Sequence, residues 1–161
     1  MKKILKLCIV AMLVVSTVLS TASCGIISGI LRNDKETEFY NTVLESQGLL
    51  DELADDIYEN WYDAIYNDKF DSDINKAIAA AFKEHEADLE IIYENDDIIV
   101  DLYKDIRDGK LKSEAEEVME AYNEYYTIVV ECSGSFNSYS EEKEPAKKAL
   151  AKALKNYYIA Y

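Results

Sequence analysis

Residues 35–66 read KETEFYNTVLESQGLLDELADDIYENWYDAIY, and their spacing decides the fold. Val43, Gln47, Leu50, Ala54, Ile57, Trp61 and Ala64 recur at alternating intervals of four and three. That is the period of one face of an α-helix. Tyr40, Leu44, Tyr58 and Ile65 flank the stripe. Just upstream, Asn33-Asp34-Lys35-Glu36 has the form of a capping box, in which Asn33 accepts from the backbone and Glu36 reaches back. The helix is expected to end near Tyr66, giving a rod of about 50 Å at the α-helical rise per residue.

Such a stripe needs partner helices, and the rest of the chain supplies them. Residues 67–72 are a polar connection in which Ser72 or Asp71 is placed to cap a second helix. Its stripe is Ile74, Ile78, Ala81, His85, Leu89, Ile92, Ile99, Tyr103 and Ile106, and Asp108-Gly109 closes it, with Gly109 suited to the left-handed position after a helix end. Ser113-Glu114-Ala115-Glu116 reads as another capping box, followed by Ala115, Val118, Tyr122, Tyr125, Val129, Cys132, Phe136 and Tyr139. Ser133-Gly134-Ser135 suggests a break, although the spacing runs on through it. Pro145 is the firmer obstacle, having no donor and clashing with the carbonyl of Glu141 inside a helix. The break is therefore expected within 134–144, with a fourth helix on Ala146, Leu150, Ala153, Leu154 and Tyr157. No strand pattern, repeat or low-complexity block appears. Short connections between long helices predict an all-α, up-down-up-down four-helix bundle. The alternative is three long helices, the last one kinked.

The first residues carry a different message. Lys2, Lys3 and Lys6 form a positive n-region, and Leu7 to Leu19 an apolar stretch too short to span a bilayer, which takes about 20 residues. Thr21-Ala22-Ser23-Cys24 follows. This segment resembles the signal peptide of bacterial lipoproteins, which is cut before a cysteine whose thiol has received a diacylglyceryl group. Ala22 and Ser23 match the small residues of that motif, and Thr21 stands where the family usually has Leu. The resemblance covers this segment alone. It implies a signal peptide at 1–23, a lipidated tether at 24–33 with Cys24 as the attachment site, and a mature domain at 34–161. Two other readings stay open: secretory cleavage after Ala22, and an uncleaved anchor continued by Ile26, Ile27, Ile30 and Leu31.

What remains after the signal is the size of one domain, able to bury about 68% of its unfolded surface without staples. Cys8 leaves with the signal and Cys24 would be acylated, so Cys132 is left without a disulfide partner. Losing the three signal lysines takes seventeen basic residues to fourteen against thirty-two acids, a charge of −18. That balance argues against nucleic acid and anionic membrane surfaces as partners for the body of the domain. The basic segment is the C-terminus, where Lys147, Lys148, Lys152 and Lys155 follow the last acid, Glu144.

Five features invite chemistry. His85, the lone histidine, sits on the second stripe with Phe82 three residues before it, so the Glu-x-x-His pairing of di-iron bundles is missing. Its simplest role is a bundle histidine bonded to Gln47 or a carboxylate. Cys132 reads as a small buried hydrophobe. Glu86-Glu90-Glu94 and Asp97-Asp101-Asp105 are rows of like charge, each pair costing about 0.2–0.5 kcal/mol. They suit a solvated face, or a cation. Asp71-Ser72-Asp73-Ile74-Asn75 starts like a calcium loop, but Lys76 stands where Gly is needed and Phe82 where the bidentate Glu belongs. Tyrosine is abundant, at thirteen residues, and places Tyr58, Tyr62 and Tyr66 in one line beside Trp61, and Tyr122 with Tyr126 in another. Such rings line ligand grooves or close the margin of a core.

The expectation is a lipid-anchored extracytoplasmic helical module with a non-catalytic binding or structural role, touching the membrane through its lipid and a protein partner through its body. No cofactor or metal motif is present. The rival expectation is a small-ligand, peptide or cation-binding protein using Tyr58, Trp61, Tyr62 and Tyr66 or the acidic rows.

Overall fold

The first stripe is buried as its spacing requires. The computed structural model describes residues 35–107 and 109–161, and the regular structure in them is helical throughout. Helix α1 (Lys35–Tyr66) buries every residue from Val43 to Ala64 on that stripe and adds Phe39, Ser46 and Leu53. Each buried Leu, Ile, Val or Phe contributes about 1.5–3 kcal/mol relative to exposure, so the face holds the helix in place. The signal segment, Cys24, the tether and the Asn33 cap lie outside the described residues.

After α1 the chain reverses through a left-handed turn. Phe70 and Asp71 both have φ 55°, and Ser72 has φ 57°. Those conformations cost L-residues about 1–2 kcal/mol each, and they also move the cap. A helix N-cap needs extended backbone, which first appears at Asp73 (φ −98°, ψ 107°), whose carboxylate accepts from the N–H groups of Asn75 and Lys76 at 3.0 and 3.2 Å. Asp73, not Ser72 or Asp71, therefore starts α2 (Ile74–Glu84).

The expected second helix is two. α2 ends and α3 (Glu86–Asp105) begins around His85, which sits at φ −98° and ψ 23°. Backbone bonds continue across the joint, His85 N–H to Ala81 O at 3.1 Å and Leu89 N–H to His85 O at 2.9 Å. The joint is thus a bend rather than a loop. It also shifts the buried face, for Ala77 and Ala81 are covered in α2 while Ile74 is exposed. Leu89, Ile92, Asn95, Ile99 and Leu102 carry the face through α3.

Helix α4 (Gly109–Tyr126) starts before the Ser113 box, and Gly109 is its first residue rather than the residue closing its predecessor. Leu111 is buried there, and the Lys112 ammonium lies 3.3 Å from the centre of the Tyr103 ring, which ties the first turn to α3. α4 runs into a single π-helical turn, Thr127–Glu131, and stops at Cys132 in a left-handed conformation (φ 36°).

The last joint departs most from expectation. Gly134 has φ 97°, a backbone that favours glycine, and a Cβ there would meet Ser138 Oγ at 2.9 Å and push that hydroxyl off the cap it makes. Ser135 and Ser138 then form a reciprocal capping box that opens α5 (Phe136–Ala160). Phe136 and Tyr139 belong to α5 rather than to the preceding helix, and the break falls at 132–135, at the N-terminal edge of the expected 134–144. Pro145 lies well inside α5. Pro145 and Glu141 are both exposed, so water can hydrate the carbonyl that proline leaves without a donor.

Cross-links fix the order of the legs. Asn60 meets Ala77 and Asn95 meets Glu45, so α2–α3 descends antiparallel to α1. Tyr139 meets Ala54 and Tyr157 meets Glu36, so α5 descends as well. α4 rises between them and packs mainly on α5. The all-α, up-down-up-down bundle holds, with one leg bent into two helices. No helix among the described residues is long and apolar enough to cross a membrane.

Candidate functional site

The tyrosine line is brought together, but around a plug. Tyr58, Tyr62 and Tyr66 recur on one flank of α1, where Tyr58 and Tyr62 rings lie 6.4 Å apart and Tyr62 and Tyr66 4.7 Å apart. The first residue of α5, Phe136, enters among them, at 5.2 Å from Tyr58, 6.2 Å from both Tyr62 and Tyr66, and 5.9 Å from Trp61. Trp61 is only 3% exposed and stacks toward Tyr139 at 5.7 Å; its buried Nε1–H has no acceptor among the described residues. Tyr62 and Tyr66 stay 42% and 59% exposed. The protein's own ring therefore fills the space among these aromatics, leaving an aromatic surface whose outer edge is wet. Nothing local in the sequence marks Phe136 for this place.

Next to the cluster runs a polar seam between α1 and α5. The Lys143 ammonium, nearly buried, donates to Asp55 at 2.7 Å and sits 4.9 Å from the Tyr58 ring centre. Lys147 meets Asp51 at 3.1 Å, and the Tyr125 hydroxyl of α4 donates to the same carboxylate at 2.7 Å. Burial, then the Asp51 contact, raises the Tyr125 pKa far above the usual phenol range and keeps it protonated. The seam holds three helices in register. Deeper in the core, the buried Tyr122 and Ser46 hydroxyls face one another without good hydrogen-bond geometry and have no other partner among the described residues.

His85 is bonded to carboxylates, and to two at once. Its Nε2 lies 2.8 Å from Asp56 on α1 and its Nδ1 2.8 Å from Asp88 on α3; Gln47 is not a partner. A neutral imidazole donates from one nitrogen only, so two carboxylate contacts call for the imidazolium. Burial alone would lower the pKa of His85, but the hydrogen bonds and charges of Asp56 and Asp88 outweigh it and hold the pKa above the ordinary histidine value. The Asp56 bond pins the bend between α2 and α3 to α1, and the Asp88 bond ties the ring to the first turn of α3. Asp56 and Asp88 carry no sequence signal that would single them out among so many acids.

The remaining candidates disperse. Glu86, Glu90 and Glu94 are exposed on α3. In the aspartate row Asp101 pairs with Lys104 at 2.9 Å and Asp105 pairs with Lys35, so lysines answer part of the charge. No group of His, Cys, Asp and Glu among the described residues is arranged to hold a metal ion. Cys132 is half-buried and free, and burial pushes its thiol up to about 11. An open groove of about 240 Å³ lies between α4 and α5, lined by Glu117, Glu120, Glu124, Lys152, Asn156 and three alanines. It is smaller than a typical small-molecule pocket of about 300–1,000 Å³.

No family model, curated protein or solved structure matches the chain. The functional reading rests on these residues alone.

Proposed function

We propose that the chain is an exported lipoprotein, acylated at Cys24, whose helical body is a non-catalytic binding or structural module held outside the cytoplasm at a membrane. The address rests on the n-region, the apolar stretch and Thr21-Ala22-Ser23-Cys24. The observation that carries the role is Phe136, which occupies the space among Tyr58, Trp61, Tyr62 and Tyr66 that a ligand would need. A bundle so filled offers partners its surface rather than a cavity. Acyl labelling and intact mass of the full chain test the address: a diacylated N-terminal Cys24 is expected, with Cys24→Ala losing both label and membrane association. An unacylated mature chain beginning at Ser23 overturns it.

A second reading keeps one supporting observation. The exposed Tyr62 and Tyr66 rings lie side by side and present hydroxyls, a platform on which a sugar or peptide can stack. Melting the protein against sugars, peptides and divalent ions decides between them, since a ligand that binds the native state must raise the melting temperature. A saturable rise abolished by Tyr62→Ala and Tyr66→Ala would favour the ligand-binding reading.

A further inference from the structure

Three segments far apart in sequence meet at the end of the bundle where α1 begins. Lys35 pairs with Asp105, so the end of α3 is there. Lys112 covers Tyr103, so the first turn of α4 is there too. The end of α5 closes the group, with the Tyr157 hydroxyl donating to Glu36 O at 3.1 Å, Thr37 donating to the Tyr161 hydroxyl at 2.9 Å, and Tyr158 5.6 Å from Tyr40. Beyond these contacts Tyr158, Ile159 and Tyr161 remain 46%, 69% and 42% exposed.

Charge distinguishes this end from the rest. Lys35 and Lys104 neutralise Asp105 and Asp101. Arg107, Lys110 and Lys155 are exposed at the same end with Lys112 half-buried, against the exposed Glu38 and the half-buried Glu36 and Glu114. Cations and carboxylates are thus near balance here, while the surplus of acid sits on the body. The Glu86-Glu90-Glu94 row begins near the level of Glu45, which Asn95 meets; that is ten residues, or about 15 Å of helix, from Lys35. Screening at physiological salt acts over about 8 Å, so a surface at this end is shielded from that row.

We infer that this end docks on the headgroup layer of the phospholipid bilayer that carries the anchor. The inference rests on acylation at Cys24. Eleven residue steps separate Cys24 from Lys35 and span at most about 40 Å, so the start of α1 is the end the tether keeps near the membrane. Tyrosines favour the membrane–water interface, and each cation there adds about 1 kcal/mol where anionic lipid is present. A body lying flat would instead press the unpaired Glu86-Glu90-Glu94 row toward the lipid. The bundle stands on the Tyr158–Tyr161 edge, with the Tyr62 and Tyr66 surface held away from the bilayer for a partner.

The test uses the full lipidated chain in a Cys132→Ser background, with an environment-sensitive dye at Ile159→Cys or, as the control at the opposite end, at Tyr66→Cys. Both positions are exposed. On phosphatidylcholine vesicles, and more strongly on vesicles containing phosphatidylglycerol, the dye at 159 should shift to the blue and be quenched by headgroup nitroxides, while the dye at 66 should not respond. Arg107→Glu with Lys155→Glu should remove the extra shift on anionic lipid. If mass and flotation show an acylated, vesicle-bound chain whose dye at 159 keeps its aqueous emission, the docking is wrong and the anchor stands. If the chain is unacylated and stays in solution, the anchor fails and the docking with it. A shift at 159 that appears without vesicles and grows with protein concentration assigns the edge to a second copy instead.

Discussion

Replacing Pro145 by alanine should make this protein more stable, not less. Proline costs about 3 kcal/mol relative to alanine inside a helix, because it removes one backbone bond and crowds the carbonyl four residues back. Pro145 lies within α5, between the buried Lys143 and Ala146, which hold the helix on its partners through this turn. Both Pro145 and Glu141 are exposed, so alanine meets no neighbour, opens no cavity and gives Glu141 O its missing donor. Against the gain stands the unfolded chain, which proline stiffens by about 0.4–1 kcal/mol. The net is a stabilisation of about 2 kcal/mol. For a domain of this size each kcal/mol moves the midpoint by about 4 °C, so Pro145→Ala should raise the melting temperature by about 8 °C. Thermal unfolding followed by far-ultraviolet circular dichroism measures this directly. Amide exchange adds a local check, since the new N–H at 145 should be protected. An unchanged or lowered midpoint, with an unprotected amide, would mean that the helix does not run through this position and that the chain breaks near the proline.

Three other outcomes test the site. His85→Gln should cost about 2 kcal/mol at pH 6, where charged hydrogen bonds to Asp56 and Asp88 are lost. Because the folded pKa is raised, this stabilisation is complete below the unfolded value of about 6.5 and fades as pH climbs through the folded one. Denaturant titrations across pH 5.5 to 9, an interval chosen around that value, should therefore show the two proteins converging on the alkaline side, and a constant gap would refute the doubly bonded imidazolium. Phe136→Ala should lower stability by about 2–3 kcal/mol, less than a fully buried phenylalanine, and shift the emission of Trp61, the single tryptophan, to the red. An unshifted emission would mean that Phe136 does not shield the indole. Cys132, with its thiol pushed from 9.0 to about 11, should alkylate about 100-fold more slowly at pH 8 than an unperturbed thiol, read by iodoacetamide labelling and mass. Labelling at the free-thiol rate would place Cys132 in water.

The sequence by itself determined the helices and their inward faces. A stripe such as Val43 to Ala64 is set by the helical period, a local property, and short polar connections then leave antiparallel packing as the economical arrangement. By local rule Pro145 is the stronger breaker than Gly134, and that ranking misleads here. The tertiary structure decided for Gly134: Phe136 is drawn into the rings of α1, the Ser135–Ser138 box starts the helix there, and Pro145 falls on the wet face, where packing elsewhere along α5 carries its cost. The cap at Asp73 was likewise hidden, because the left-handed turn that shifts it depends on how α1 and α2 meet. His85 shows the same limit. Its place on a buried stripe is written in its spacing, but its two carboxylates come from different helices. Which of many acids faces it depends on how far one helix slides along another, and that is fixed only when the faces pack.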